Sequence, residues 1–344
     1  LEYGVVDNVL LEFDKRWTDM RYKGKGVSLA NTCSVGVPIL DIAFGRIMPN
    51  DTFLIGSRSG SGKTQFVMQM ALKNTMLGKR VHVIALEAYK GEHQSRMRYS
   101  IFADLYYKSE HRFKNININY VSFIYGQLDD IYGYFAEQIE SRLRDIDDLN
   151  ILYGGEDFAP EDLARTVFTV SEDSDLIILD HVHYFDFEEG VNENIAIKRL
   201  VKMARSLTIT YGVPIVLVSH LRKKQKFSKE ICASIDDFHG SSDLFKISTK
   251  VLVMGRGGIT QDEGRAKAIT YFRPLKNRLD SQCTYYGIKG LYDFSRGDYD
   301  SKFLLGQFRN DDTEFEVIPE HLGQGVAKHE NEHYPKWAKN KFLE

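Results

Sequence analysis

The sequence predicts an α/β fold, a mostly parallel twisted sheet with helices on both faces. Three observations carry that prediction. Short apolar runs, Phe53–Ile55, "VHVIAL" (81–86), "DLIILD" (175–180) and "VPIVLVSH" (213–220), have the length and composition of buried strands. Stretches with apolar residues at helical spacing lie between them, the alternation that a parallel sheet requires because each crossover needs a helix. The third observation is "IGSRSGSGKTQF" (55–66), a glycine-rich loop between a strand and a helix.

Each element follows in order. Phe66, Val67, Met70, Ala71 and Leu77 share one face of a helix that opens at Thr64, with Gly78 as its stop. "VHVIAL" is the next strand. Residues 88–174 read as mostly helical, with "ILYGG" (151–155) as a strand inside. Ile197, Leu200, Val201, Ala204 and Leu207 mark a helix over about 194–210. After a polar segment, 222–249, come "KVLVMG" and "AITYFRPLKNRL". Residues 1–30 are expected to be an extension with a short amphipathic helix at about 9–20. Residues 31–308 form the domain, and 309–344, charged and weakly periodic, a tail.

Bulk properties exclude several classes. The chain has 344 residues, 43% of them hydrophobic, and no run approaches the ~18 apolar residues of a membrane span. Cys33, Cys232 and Cys283 are odd in number and widely spaced, which argues against a disulfide framework or a zinc knuckle and suggests a reducing, cytoplasmic setting. A net charge of −3 makes any nucleic-acid surface a local one.

The glycine-rich loop departs from G-x-x-x-x-G-K-[ST]: Ser57 stands where the first glycine belongs, and Gly56 comes one residue early. Ser57, Arg58, Ser59, Gly60, Ser61, Gly62, Lys63, Thr64 and Gln65 are nonetheless the candidate nucleotide cradle, with Lys63 reaching the β/γ-phosphates and Thr64 ligating Mg²⁺. Asp180, ending a buried strand, is placed to hold the metal's water shell or to cap the strand. Glu87 either orients the attacking water or serves as a first-turn helix acid. The strands ending in Ser57 and Glu87 are expected to lie close together. His220 either senses the γ-phosphate or is structural. His181 and His183 read as strand continuation rather than metal ligands. Arg222, Lys223, Lys224 and Lys226, with Phe227 among them, form either a single-stranded nucleic-acid contact or a solvated charge run. Lys276 and Arg278 share a face, where an anion would relieve their repulsion.

These pieces together resemble the ATPase domain of the DnaB-like replicative helicases, the superfamily 4 rings, in the pattern of the phage-type and Twinkle members. The resemblance runs in order from Cys33 to Arg278: "SVGVPILD" and "GRIMPND", "SRSGSGKTQF", "ALEAYKGEHQSRM", "GQLDD" and "ILYGGEDFAPEDL", "LIILDHVHYF", "VPIVLVSHLRK", "DDFHGSSDL" and "LKNRL". It implies a RecA-like P-loop NTPase core, ATP and Mg²⁺, a homo-hexameric ring with ATP between subunits, and 5′→3′ movement on single-stranded DNA. It also implies a separate primase or loader. In that pattern Glu87 is the catalytic carboxylate, His220 the sensor, and Lys276 and Arg278 the fingers serving a neighbour. His239, Gly240 and Ser241 would face DNA, with His239 replacing a common Arg. Small residues stand at the Ser57 position in this family. A regulatory ATPase of the KaiC kind and a strand-exchange recombinase share such a core and are the competing readings.

Overall fold

The structure is a computed structural model. It describes residues 29–318 apart from 88–89, 147, 155–156, 188–191, 222–229, 239–240, 263, 300–302 and 311. The helix expected at 9–20 lies outside the described residues.

Strand β1 (Thr52–Ser57) lies inside the sheet, and all its residues are buried. It runs parallel to β5 (Ile215–His220) on one side and β6 (Lys250–Asp262) on the other. Beyond β5 come β4 (Leu176–Asp180), β2 (Val81–Ala85) and β3 (Leu149–Tyr153), all parallel. Burial on both faces explains why these runs are continuously apolar instead of alternating.

Period-2 geometry divides β1 between two cores. Phe53 and Ile55 pack with Phe66, Val67 and Met70 of α2 (Lys63–Met76), and with Leu40 of α1 (Pro38–Ala43). Leu54 packs on the other face, with Leu163 and Val167 of α6 (Pro160–Val170) and Ile197, Leu200 and Ala204 of α7 (Glu193–Tyr211). Between β2 and β3 the chain forms α3 (Lys90–Lys108), α4 (Tyr120–Ile124) and α5 (Asp129–Arg144). These close on their own aromatic cluster of Tyr99, Phe102, Tyr106 and Phe135. A short helix, α8 (Ser241–Ile247), follows β5.

Beyond β6 the sheet turns antiparallel. β7 (Arg265–Asn277) pairs with β6 and with β8 (Gly287–Asp293). Then come β9 (Asp298–Tyr299), β10 (Leu304–Arg309) and β11 (Glu314–Val317), giving the order β11-β10-β8-β7-β6-β1-β5-β4-β2-β3 with β9 on β8. The sheet therefore continues past residue 308, where the sequence was expected to pass into a tail. β11 is half-exposed at the sheet margin, so its apolar periodicity is faint. Among the described residues no helix is long and apolar enough to cross a membrane.

The early glycine of the loop has a packing explanation. A Cβ at Gly56 would sit 2.5 Å from the Phe238 ring and 3.0 Å from Leu221 Cδ2. Leu221 and Phe238 bridge to one another directly over this strand. Gly56 belongs to the strand's packing, and the phosphate loop starts after it. Gly56→Ala should therefore overpack the site and cost about 1–3 kcal/mol of stability. A lowered denaturant midpoint with an unchanged m-value would show it.

Candidate active site

The strand ladder sets the height of each candidate group. Ser57 pairs with His220, and Ile55 with Val218. Leu179 pairs with Leu217, which puts Asp180 level with Val218 and Ile55. Ala85 pairs with Asp180, so Glu87, two residues on, rises to the level of Ser57 and His220. Asp180 thus sits roughly 7 Å below the rim formed by Ser57, His220 and Glu87. β2 is not beside β1, as the sequence had suggested; β5 and β4 lie between them. Glu87 reaches the site because it stands beyond its strand's end.

The loop supplies the rest. Gly60 and Gly62 adopt φ of 74° and 85°, the left-handed region that a side chain would strain, and a Cβ at either would meet no atom within 4 Å. Their requirement is backbone conformation. Gly62 is the N-cap of α2, so the helix N-terminus opens at Lys63 and Thr64. Ser57 is fully buried and donates its hydroxyl to the Arg58 carbonyl at 3.1 Å. Arg58 turns its guanidinium to Glu230 and Asp237, each at 3.4 Å. Gln65 donates to the Gly297 carbonyl at 2.9 Å and accepts from Arg96 at 3.3 Å. The side chains of Arg58 and Gln65 are thus engaged within the protein. Ser59 and Ser61 complete the turn, where the Ser61 amide donates to the Arg58 carbonyl at 3.3 Å.

Lys63 is buried, with its ammonium donating to the carbonyls of Ser57 at 3.3 Å and Arg58 at 3.4 Å and to His220 Nδ1 at 2.9 Å. Burial pushes its pKa down to about 8, against the opposing pull of Glu87 and Asp180. Asp180 is 1% exposed, and neither carboxylate oxygen has a hydrogen-bond partner of good geometry. Burial raises it to about 6, with the nearby Thr64 hydroxyl pulling it back and Glu87 adding to the rise. An orphaned buried carboxylate beside a threonine hydroxyl fits a divalent cation. Glu87 is also raised, first by its desolvation, against the lowering effect of Lys63.

His181, read from sequence as strand continuation, proves central. Its ring lies 4.1 Å from that of His220, and its Nε2 is 3.1 Å from Glu87 Oε2. Burial, with His220, His183 and Lys63 nearby, drives its pKa down to about 2, so it is neutral and the Glu87 contact is no ion pair. His220 Nε2 faces the same Glu87 oxygen at 3.8 Å. Glu87, His181 and His220 bring ligand-type atoms within 4.8 Å of one another. Their tautomers oppose a metal between them. The His183 amide donates to His181 Nδ1 at 3.2 Å, and the Lys63 ammonium to His220 Nδ1, so in both neutral rings the proton is on Nε2, facing Glu87. The only sequence signal for His181 was its position directly after Asp180.

The remaining candidates lie elsewhere. Lys276 pairs with Val251, itself paired with Leu54, so it stands two strands from β1 and about 10 Å below the rim. Lys276 and Arg278 both donate to the Lys246 carbonyl at 3.1 Å, at the C-terminal end of α8. Burial, then Arg278, pushes Lys276 down to about 8. Within one chain neither is brought to Lys63. Arg222, Lys223, Lys224, Lys226, His239 and Gly240 lie outside the described residues, and Ser241 opens α8.

Two outcomes follow. Ser57→Gly should be tolerated, whereas Ser57→Val should crowd the buried position and weaken nucleotide binding in a titration. Asp180 has a folded-state pKa above its unfolded value, so the stability it contributes is present at low pH and lost as pH rises through about 4 to 6. Asp180→Asn should match wild type near pH 4 and, without nucleotide or metal, exceed it near pH 7 by on the order of 2–3 kcal/mol in denaturant unfolding.

No protein-family model matches this sequence, and no curated protein matches it. Solved structures do. One is of a DnaB-like replicative helicase and its interactions with primase: TM-score 0.55 at 13% identity, covering 83% of this chain and 63% of that one. This chain therefore spans less than two thirds of that helicase's length. A second, the ATPase domain of another helicase, gives TM-score 0.55 at 13% identity over 92% of this chain and 100% of that one. The fold of this chain is that of the ATPase domain of DnaB-like replicative helicases.

Proposed function

We propose that this chain is the ATPase of a ring-forming replicative DNA helicase. One observation carries the proposal: the phosphate loop, a buried unpartnered Asp180, and Glu87 and His220 at one height converge at the carboxyl ends of the parallel strands, where such sheets bind ligands.

The roles follow from the geometry. The loop amides of 58–64 and the N-terminus of α2 cradle the phosphates of ATP. Lys63 exchanges its carbonyl and His220 partners for phosphate oxygens. Thr64 and Asp180 hold Mg²⁺, which neutralises phosphate charge. Glu87 accepts the proton of the attacking water, and its raised pKa suits that task. His220, next to Lys63, reads the terminal phosphate.

Lys276 and Arg278 lie off their own chain's site but on one strand end, which supports a role at a neighbouring subunit's nucleotide. That role requires an assembly, here a homo-hexamer. The basic segment 222–229 and residues 239–241 follow β5 and precede α8, and we assign them to single-stranded DNA. A separate primase or loader completes the assignment, as does 5′→3′ movement. In this reading residues 1–30 are an extension that helps hold the ring, 31–308 carry the ATPase, and residues beyond 308 are peripheral to catalysis.

ATP hydrolysis should be stimulated by single-stranded DNA and abolished by Lys63→Ala. Hydrolysis indifferent to DNA, by a chain that stays monomeric with nucleotide, would sink the proposal in favour of a regulatory ATPase. Filaments in place of closed rings, seen by electron microscopy with nucleotide and DNA, would favour a recombinase. Arg278→Ala subunits mixed with wild type should depress activity more than in proportion to their fraction; a linear loss would contradict a finger acting in trans.

A further inference from the structure

His181 is an anomaly that the ATPase reading leaves unexplained. It is 1% exposed, and its Nε2 makes no hydrogen bond. A buried unmade donor costs about 1–3 kcal/mol and calls for a reason. The ring is not loose: the His183 amide pins Nδ1 at 3.2 Å, and the rings of His220 and Tyr184 lie at 4.1 and 4.6 Å. Its orientation is therefore imposed by the surrounding structure, and it aims the Nε2 proton at the Glu87 carboxylate, 3.1 Å away but off the hydrogen-bonding line.

The partner of that donor can move. Glu87 is at the end of β2, and its side chain is 36% exposed. It faces Lys63 from α2 and Glu92 from α3, as well as the two histidines. His220 is a poor anchor for Glu87, because its Nδ1 is tied to Lys63, the side chain that must re-aim when phosphate arrives. His181 has no such tie.

We infer that His181 is a positioning residue: its buried Nε2–H fixes the Glu87 carboxylate in the orientation from which it takes a proton from water. The inference rests on the ATPase reading and deepens it by assigning the group that aims the base. Glu87 needs only a small rotation to make the bond, and catalytic hydrogen bonds are often misaligned until the site is filled.

Two isosteres separate this role from a structural one. In His181→Gln the amide nitrogen takes the place of Nε2, keeping the donor to Glu87 and losing the acceptor for the His183 amide. In His181→Asn the carbonyl takes the place of Nδ1, keeping that acceptor and losing the donor. The measurement is kcat and KM for ATP, for the full chain with single-stranded DNA. His181→Asn should lose roughly 10- to 100-fold in kcat at unchanged KM, while His181→Gln stays close to wild type. In a Glu87→Gln background, adding His181→Asn should cost nothing more, since the two act as a unit. Equal losses in both variants, a better Asn than Gln variant, or additive losses with Glu87→Gln would overturn the inference while leaving the ATPase reading intact. A wild-type chain that hydrolyses no ATP would overturn that reading, and this inference with it.

Discussion

The parallel ladder through β1, β5, β4 and β2 is the constraint on which everything at the site depends. Its register puts Ser57 opposite His220 and Asp180 opposite Ala85. A slip of one residue would turn every inward side chain to the other face. Such a slip is prevented by the two cores, which take Phe53 and Ile55 on one side and Leu54 on the other. The active-site geometry is thus fixed by hydrophobic packing several residues away, and the polar groups at the rim need not hold themselves in place.

That division of labour shows in the electrostatics. Lys63 is held below its usual range and Asp180 and Glu87 above theirs, each first of all by desolvation. The protein buries opposite charges near one another without pairing them fully: Asp180 has no hydrogen-bonded partner and Lys63 settles for carbonyls and an imidazole. A site already oriented but unsatisfied stabilises incoming charge without reorganising at the moment of reaction.

What could be read from the sequence follows physical lines. Strands buried on both faces are continuous apolar runs, so β1, β2, β4 and β5 were legible, and with them the residues at their ends: Asp180, Glu87 and His220. The loop was legible because Gly60, Gly62, Lys63 and Thr64 answer to backbone and charge requirements that few other residues meet. Strand order was not legible, which is why Glu87 was expected beside β1 when two strands intervene. Half-exposed margin strands carry little pattern, so β10 and β11 were missed. His181 was missed because its importance lies in what three other elements bring to it. Gly56 looked like a misplaced loop glycine because the Phe238 ring that explains it comes from far along the chain. The basic segment at 222–229 lies outside the described residues.

Arg58 extends the loop's reach. Its guanidinium bridges Glu230 and Asp237, each at 3.4 Å. One of these acids directly follows residues 222–229, and the other stands two positions before His239. Asp237 is itself braced, its carboxylate accepting from the Ser234 amide at 2.8 Å. The loop is therefore yoked at one point to two separate stretches of chain. Any displacement of Arg58 as the loop closes on phosphate must either break both ion pairs or pull both stretches together. In mechanical terms the phosphate loop is the short arm of a lever, and its load is applied where the chain leaves β5 and again where it approaches α8.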